Sequence, residues 1–112
     1  MSLKQERLAS LIQKYISDII QFELKNKSIG IVTVTRVRVS DDNSWAKVYI
    51  SFLAGNKQEK LEILERSKGF IRSSLAKRLT IRRSPDIVFE IDNSFEEGQY
   101  ISNLIKDTNK ED

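Results

Sequence analysis

Seven positive side chains and no negative one lie between residues 66 and 83 of this 112-residue chain. Because the formal net charge of the whole chain is only +3, the remaining residues are together net negative. Like charges at helical spacing repel one another, so a stretch that holds them without interleaved acids is suited to meet an anion. The alternative is a solvated helix face that the acidic C-terminal third neutralises in space. Charge alone does not decide between the two interpretations. The seven cations are Arg66, Lys68, Arg72, Lys77, Arg78, Arg82 and Arg83.

Two residue types that many enzymes use, Cys and His, are absent from this sequence. It has no Cys, which removes disulfides, thiolate metal sites and a cysteine nucleophile, and no His, the usual residue of acid–base catalysis and zinc sites. It has neither a P-loop nor a G-x-G-x-x-G motif. The pair Asp41-Asp42 is explained better by a hairpin turn than by a metal site. We therefore expect no catalytic residue, no metal and no cofactor.

Length and composition predict one soluble domain. A chain of 112 residues, of which 39% are hydrophobic, has room for a single modest core. No apolar run approaches the roughly 20 residues needed to span a bilayer, and no apolar signal-peptide core follows the first residues. We expect a cytoplasmic protein in which residues 1–106 form the domain and residues 107–112 form a disordered tail.

The first half of the chain predicts a long helix followed by a hairpin. Apolar residues at three- and four-residue spacing form one stripe over residues 3–24. Residues 31–40 are β-branched and predict a strand, in which either both faces are partly covered or a bulge near Thr35 resets the alternation. A turn signal at 41–44 leads into a return strand over 45–53. The core face of the return strand holds Ala46, Val48, Ile50 and Phe52.

The second half predicts two helices with a break between them. Lys68 would fall inside the buried stripe of a single helix over 57–79, and Phe70 would fall almost opposite it. Gly69 costs about 1 kcal/mol in a helix interior relative to Ala. A break at Ser67, Lys68 and Gly69 changes the phase, so that Lys68 leaves the core and Phe70 enters it. Two further elements are expected, a third strand over 86–92 and a short last helix over 95–106.

The order helix, strand, strand, helix, break, helix, strand is that of a type II KH domain, an RNA-binding α+β fold. Within this order the local sequences resemble the ribosome-binding factor A family over residues 4–106. The resemblance implies a single type II KH-like domain whose three-stranded sheet packs on the helices. It rests on the blocks VTVTRVRVSDD (32–42), AKVYIS (46–51), KGFIRS (68–73), LTIR (79–82), PDIVF (85–89) and DNS (92–94), continuing to Gly98 and Ile101.

The resemblance also gives the helix break a meaning. KH modules clamp the nucleic-acid backbone with a G-x-x-G loop, and the four glycines of this chain do not form one. The family has instead an Ala-x-Gly break between its two helices, and the matching residues here are Ser67, Lys68 and Gly69. Ser in place of Ala keeps the position small, and its hydroxyl can bond to the backbone near the break.

A non-catalytic role in ribosome assembly follows from the resemblance. Members of the family bind the immature 30S subunit and its 16S rRNA, and they support late maturation and processing of the 5′ end of the rRNA precursor, above all at low temperature. The implied partners are the 30S subunit and 16S rRNA, with no membrane and no small-molecule substrate. We expect a monomer, since no long helical stripe is left uncovered. The alternative function is a protein-binding adaptor whose basic surface docks an acidic partner.

Two groups of cations are the candidate RNA-binding residues, because Arg and Lys supply the phosphate contacts that dominate affinity for RNA. The first group lies at the helix break and on the following helix, and the second lies on the hairpin. On the hairpin, Trp45 and Tyr49 would share an open sheet face with the cations and stack on bases. Ordinary cross-strand packing also explains that group, and we favour it. For the first group the alternative is solvation or pairing with acids of the C-terminal third. The groups are Lys68, Arg72, Lys77, Arg78, Arg82 and Arg83, with Arg66 as a further candidate, and then Arg36, Arg38 and Lys47.

Overall fold

The computed structural model describes residues 3–24, 27–80 and 84–93. The expected α+β order of helix, strand, strand, helix, break, helix, strand is confirmed. The predicted helix over 95–106 and the tail lie outside the described residues, as do Arg82 and Arg83. In chain order the elements are α1 (Leu3–Asp18), a π-helical turn (Ile19–Glu23), a 3-10 turn (Lys27–Ile29), β1 (Val32–Val39), β2 (Trp45–Phe52), α2 (Lys57–Arg66), α3 (Lys68–Leu79) and β3 (Asp86–Ile91).

The sheet has the order β1-β2-β3 and is mixed. Strands β1 and β2 form the predicted antiparallel hairpin, whereas β3 runs parallel to β2. A parallel neighbour needs a crossover connection, and α2 and α3 supply it. The register of the hairpin shifts between Val34 and Arg36, which confirms a bulge at Thr35. The extra residue places the buried side chains of Val34, Val37 and Val39 on one face of the sheet.

Asp42 organises the turn between β1 and β2. Its Oδ1 atom accepts hydrogen bonds from the Ser40 hydroxyl at 2.8 Å, from the Ser44 hydroxyl at 2.7 Å and from the Ser44 backbone N–H at 3.0 Å. These bonds, led by the one from the Ser44 hydroxyl, lower the pKa of Asp42 to about 2. Three donors on one carboxylate are the signature of a side-chain-stabilised turn. The role of Asp42 is therefore to stabilise this turn.

The helices within the described residues pack against one face of the sheet, and the core lies between that face and the helices. The buried stripe of α1 faces β1, and two glutamines attach the helix to that strand, because Gln13 donates to the Val34 carbonyl and Gln5 to the Ser40 carbonyl, both at 3.0 Å. Burying a large aliphatic side chain contributes about 1.5–3 kcal/mol each. The most completely buried large side chains are Ile12, Ile16, Ile19, Val48, Ile50, Leu64, Ile71 and Leu75.

The first helix extends as far as predicted but ends differently. After Asp18 the chain widens into a π turn, which the Leu24 N–H closes by donating to the Ile19 carbonyl at 2.9 Å. Ile19 and Ile20 stay in the core, whereas the Phe22 side chain is 71% exposed. Such single π turns are rare and occur frequently at functional sites.

The break between α2 and α3 is confirmed, and Ser67 makes it. This residue has φ −90° and ψ 1°, outside regular helical geometry. Its hydroxyl donates to the Ile63 carbonyl at 2.9 Å, and its N–H lies 3.1 Å from the carbonyls of both Ile63 and Leu64. The predicted hydroxyl-to-backbone bond is therefore present, and α3 restarts at Lys68 with a new phase.

The expectation for Lys68 is correct and that for Phe70 is wrong. Lys68 leaves the core and lies 2.6 Å from the Glu65 carboxylate. Phe70 does not enter the core, and its side chain is 49% exposed. The buried face of α3 is occupied by Ile71 and Leu75, and the residue before Ile71 points about 100° away from that face. Phe70 consequently projects on the outer side of α3.

Candidate nucleic-acid interface

The two cations nearest to the helix break are Arg66, which is exposed, and Lys68, which is half-buried. Arg66 lies 3.9 Å from Glu62 one turn earlier, at the limit of an ion pair. Lys68 is paired with Glu65, and its ammonium also lies 5.9 Å from the centroid of the Phe89 ring. Exposed pairs of this kind contribute about 0–1 kcal/mol. A phosphate could replace Glu62 or Glu65 at little cost in stability.

Arg72 has a structural contact that the sequence did not predict. Its Nη2 atom donates to the Ser84 carbonyl at 3.2 Å and lies 3.1 Å from the Asp86 carboxylate. Ser84 is buried just before β3, and Asp86 is the first residue of that strand. Arg72 therefore ties α3 to the start of β3.

Arg78 is likewise engaged inside the protein. Its guanidinium donates to the Glu23 carboxylate at 2.5 Å and lies 5.9 Å from the centroid of the Tyr15 ring. The hydrogen bond from Arg78, followed by one from Ser74, lowers the pKa of Glu23. The same bond to Glu23 raises the pKa of Arg78. Both groups are charged at neutral pH, and the pair holds the π turn against α3.

Lys77 is the cation of α3 that the fold leaves uncommitted. Its side chain is exposed, and among the described residues no carboxylate lies within ion-pair distance of it. Residues 70, 74 and 77 follow one face of the helix at four- and three-residue spacing. Lys77 therefore shares the outer face of α3 with the exposed Phe70.

The second group of cations lies on the open sheet face, which carries Arg36, Arg38, Trp45, Lys47 and Tyr49. Arg36 pairs across the hairpin with Tyr49, and Arg38 pairs with Lys47. The Arg36 guanidinium lies 4.2 Å from the centroid of the Tyr49 ring, which is only 9% exposed. Tyr49 is therefore covered by a cation and not free to stack on a base, whereas Trp45 remains 43% exposed.

Lys47 on the same face is held by β3. Its ammonium lies 2.6 Å from the Glu90 carboxylate, and the hydrogen bond to Glu90 raises the pKa of Lys47. Cross-strand packing, the favoured sequence interpretation, accounts for Arg36, Lys47 and Tyr49 together. The Arg38 side chain is exposed, and no carboxylate of the described residues lies within ion-pair distance of it.

The structure thus separates the two groups instead of merging them. The cations of α3 lie on the helical side of the sheet, and the hairpin cations lie on its opposite face. Sequence reasoning missed one residue of the helical side, Phe22, because it falls outside the apolar stripe of the first helix. The signal that could have identified Phe22 is its position, because it is an aromatic residue that lies off the apolar stripe and close to the end of the helix.

Other kinds of site find no support in the described ranges 3–24, 27–80 and 84–93. Within them no three acidic side chains gather where they could hold a metal ion. No helix in the same ranges is long and apolar enough to cross a membrane.

Comparison with known proteins gives one consistent result. The sequence model of the family described as ribosome-binding factor A matches residues 4–105. Ribosome-binding factor A of Natranaerobius thermophilus is 46% identical over 109 residues, which cover 96% of this chain and 83% of that protein. The Macrococcus caseolyticus protein of the same name is 44% identical over 113 residues, which cover 99% of both chains.

Solved structures agree with the sequence comparison. The crystal structure of ribosome-binding factor A from Thermus thermophilus superposes with a TM-score of 0.72 at 26% identity, covering 78% of this chain and 94% of that one. A homology model of the Thermus thermophilus protein, fitted into a cryo-EM map of its complex with the 30S subunit, gives a TM-score of 0.66 at 26% identity and covers 76% of this chain and 91% of that one.

Proposed function

This chain belongs to the ribosome-binding factor A family, and from that premise we propose that it binds the immature 30S ribosomal subunit through 16S rRNA. The Thermus thermophilus relative forms a complex with the 30S subunit. We further propose that binding supports late maturation of the subunit and processing of the 5′ end of the 16S rRNA precursor, most strongly at low temperature. The protein would act in the cytoplasm, as a monomer and without catalysis.

The observation that supports this proposal is a group of available cations at the helix break and on the outer face of α3. The helix break and the outer face of α3 present Arg66 and Lys77 to solvent, and Lys68 beside them is half-buried. The acids near Arg66 and Lys68 hold these two cations only through surface ion pairs. Phosphate contacts provide most of the affinity of proteins for RNA. Gly69 lies between these cations, and a Cβ atom added there would meet nothing within 4 Å. An RNA backbone could approach the chain closely at this point.

The remaining candidates receive different roles. Arg72 and Arg78 shape the surface through their contacts with Asp86 and Glu23. Arg38 on the open sheet face is available for a second contact, while Arg36 and Lys47 are held by Tyr49 and Glu90. Arg82 and Arg83 stay candidates on sequence grounds.

Charge reversal tests the proposal. We expect the triple variant Arg66→Glu, Lys68→Glu, Lys77→Glu to lose cosedimentation with 30S particles while its circular dichroism spectrum stays unchanged. The matched control is the triple variant Lys4→Glu, Arg7→Glu, Lys14→Glu, which makes the same charge change on the exposed side of α1. If both variants bound as the wild type does, the helix break would be excluded as the contact. Loss of binding by both would indicate that only net charge matters.

Two further measurements address the finer parts of the proposal. Incubation of the purified protein with precursor 16S rRNA and magnesium should produce no cleavage, and specific cleavage would contradict the non-catalytic role. Cells without the protein should accumulate precursor with an unprocessed 5′ end after a shift to low temperature, and expression of the triple variant should not correct this.

A further inference from the structure

A hollow open to solvent lies between the π turn and α3, on the helical side of the molecule. Its volume is about 490 Å³, within the range of about 300–1,000 Å³ that is usual for sites of small ligands. Both elements contribute to its wall, although they are some fifty residues apart in the chain. The hollow is lined by Phe22, Glu23, Phe70, Ser74, Lys77 and Arg78.

Two aromatic rings contribute the apolar part of this wall. Phe22 is 71% exposed and Phe70 is 49% exposed. Apolar side chains that gather at one exposed place mark a binding surface more often than scattered ones do. The π turn presents Phe22 there while Ile19 and Ile20 stay buried, and such turns are frequent at functional sites.

The polar part of the wall contains one acceptor and one free cation. The Glu23 carboxylate is fixed by Arg78 at 2.5 Å and by a hydrogen bond from Ser74, so it is a charged acceptor in a defined position. The exocyclic amino groups of adenine, cytosine and guanine are donors suited to such an acceptor. Lys77 at the same wall is exposed and suited to a phosphate.

We propose that this hollow holds one unstacked base of single-stranded rRNA. The base stacks against Phe70 and Phe22, its amino group donates to Glu23, and the phosphate beside it contacts Lys77. Aromatic rings next to cations are the usual means by which proteins bind single-stranded RNA. The inference rests on the proposed function and specifies the form of rRNA that the helical side recognises, a single strand and not a duplex.

A minimal RNA tests the hollow directly. One probe is a five-nucleotide RNA with a single adenine at its centre and abasic riboses elsewhere, and the other is the fully abasic five-mer. We expect the wild-type protein to bind the adenine-bearing RNA about tenfold more tightly. The variant Phe22→Ala, Phe70→Ala should bind the two RNAs equally. Leu53→Ala, which removes another strongly exposed apolar side chain, is the control and should retain the difference.

Cosedimentation with 30S particles separates this inference from the proposed function. If the wild type and the double phenylalanine variant cosediment equally and neither distinguishes the two RNAs, the hollow has no role and only this inference is overturned. If the variant loses cosedimentation while the wild type does not distinguish the RNAs, the hollow docks a ribosomal protein, which also overturns it. If the wild type distinguishes the RNAs but fails to cosediment, the inference is supported and the proposed function is contradicted.

Discussion

The cations of this protein differ in how strongly the fold already uses them. Arg72 and Arg78 bond to groups of distant elements, Ser84 and Asp86 in one case and Glu23 in the other. Lys77 has no such partner among the residues that the structure describes. A cation that is already paired must give up a contact before it can bind a phosphate, so it contributes less to affinity. Residue type alone therefore overstates the number of cations that are free to bind a phosphate.

A pair of substitutions separates structural from binding cations. We expect Arg72→Gln to lower the free energy of unfolding by about 1 kcal/mol, because Ser84 and Asp86 lose a partner. Lys77→Gln should change it by less than about 0.5 kcal/mol yet weaken 30S binding more than Arg72→Gln does. Urea unfolding and cosedimentation measure the two effects. The opposite ranking in either assay would contradict the assignment.

Asp42 gives the hairpin a defined pH dependence. Its pKa is lowered from an ordinary value of 3.8 to about 2 by hydrogen bonds that exist only in the folded state. Its contribution to stability is therefore complete above the unfolded pKa and is lost as the pH falls through the folded pKa. Between about pH 4 and pH 2 the free energy of unfolding should fall more steeply for the wild type than for Asp42→Asn.

The neighbouring Asp41 provides the control for this measurement. Asp41→Asn removes the same charge one residue away from the hydrogen bonds of the turn. Between about pH 4 and pH 2 its free energy of unfolding should therefore still fall more steeply than that of Asp42→Asn. If the unfolding curves of the wild type and Asp42→Asn had the same pH dependence in this range, Asp42 would not hold the turn.

At the scale of elements, two interruptions of helices decide what the surface presents. The π turn brings Phe22 and Glu23 to α3, and the break at Ser67 gives α3 a phase in which Ile71 and Leu75 are buried. Without these interruptions, a continuous helix would expose other side chains than the ones observed on the surface. Gly69 lies next to the break, but the break does not need a glycine there, because neither a positive φ nor a close contact inside the protein requires one.

Gly69→Ala is expected to stabilise the protein. Position 69 is helical and open, so an added methyl group meets nothing within 4 Å, and Ala restricts the unfolded chain more than Gly does. We expect the free energy of unfolding to rise by about 0.5–1 kcal/mol, as measured by urea unfolding. A lower value would show that the break needs glycine. Weaker 30S binding by the more stable variant would place the RNA backbone at this position.

At the scale of the whole molecule, charge is segregated along the chain. A basic stretch of seven cations coexists with a net charge of only +3, so positive charge is concentrated in one segment of the sequence. Such a distribution steers one face toward a polyanion while limiting the attraction of the rest of the surface. Binding to RNA should accordingly depend on salt through the few phosphates that one face contacts.

The salt dependence of 30S binding measures the number of those phosphates. If four to six are neutralised, affinity should fall roughly 10²- to 10³-fold between 50 and 200 mM salt. Lys77→Gln should reduce the slope of log affinity against log salt by about 1. An affinity that does not change with salt would favour a protein-docking adaptor over an RNA-binding factor.

Most of the fold followed from the sequence because the signals that specify it are local. Apolar spacing predicted α1, alternation predicted the hairpin, and Gly69 beside a misplaced Lys68 predicted the break. The bulge at Thr35 was one of two explanations for the pattern of β1, and only the register with β2 selected it. The parallel pairing of β3 with β2 also needed the structure, because periodicity within one strand does not show which strand lies beside it.

By itself, the sequence determined the α+β order, the position of the helix break and the family. Only the tertiary structure decided which cations are free and where the aromatic rings lie. Arg78 meets Glu23 across 55 residues, and Arg72 meets Ser84 across 12 residues. Phe70 was misplaced because the phase of α3 after the break depends on how that helix packs on the sheet. Such long-range packing has no local signal, and it determines which side chains this protein presents on its surface.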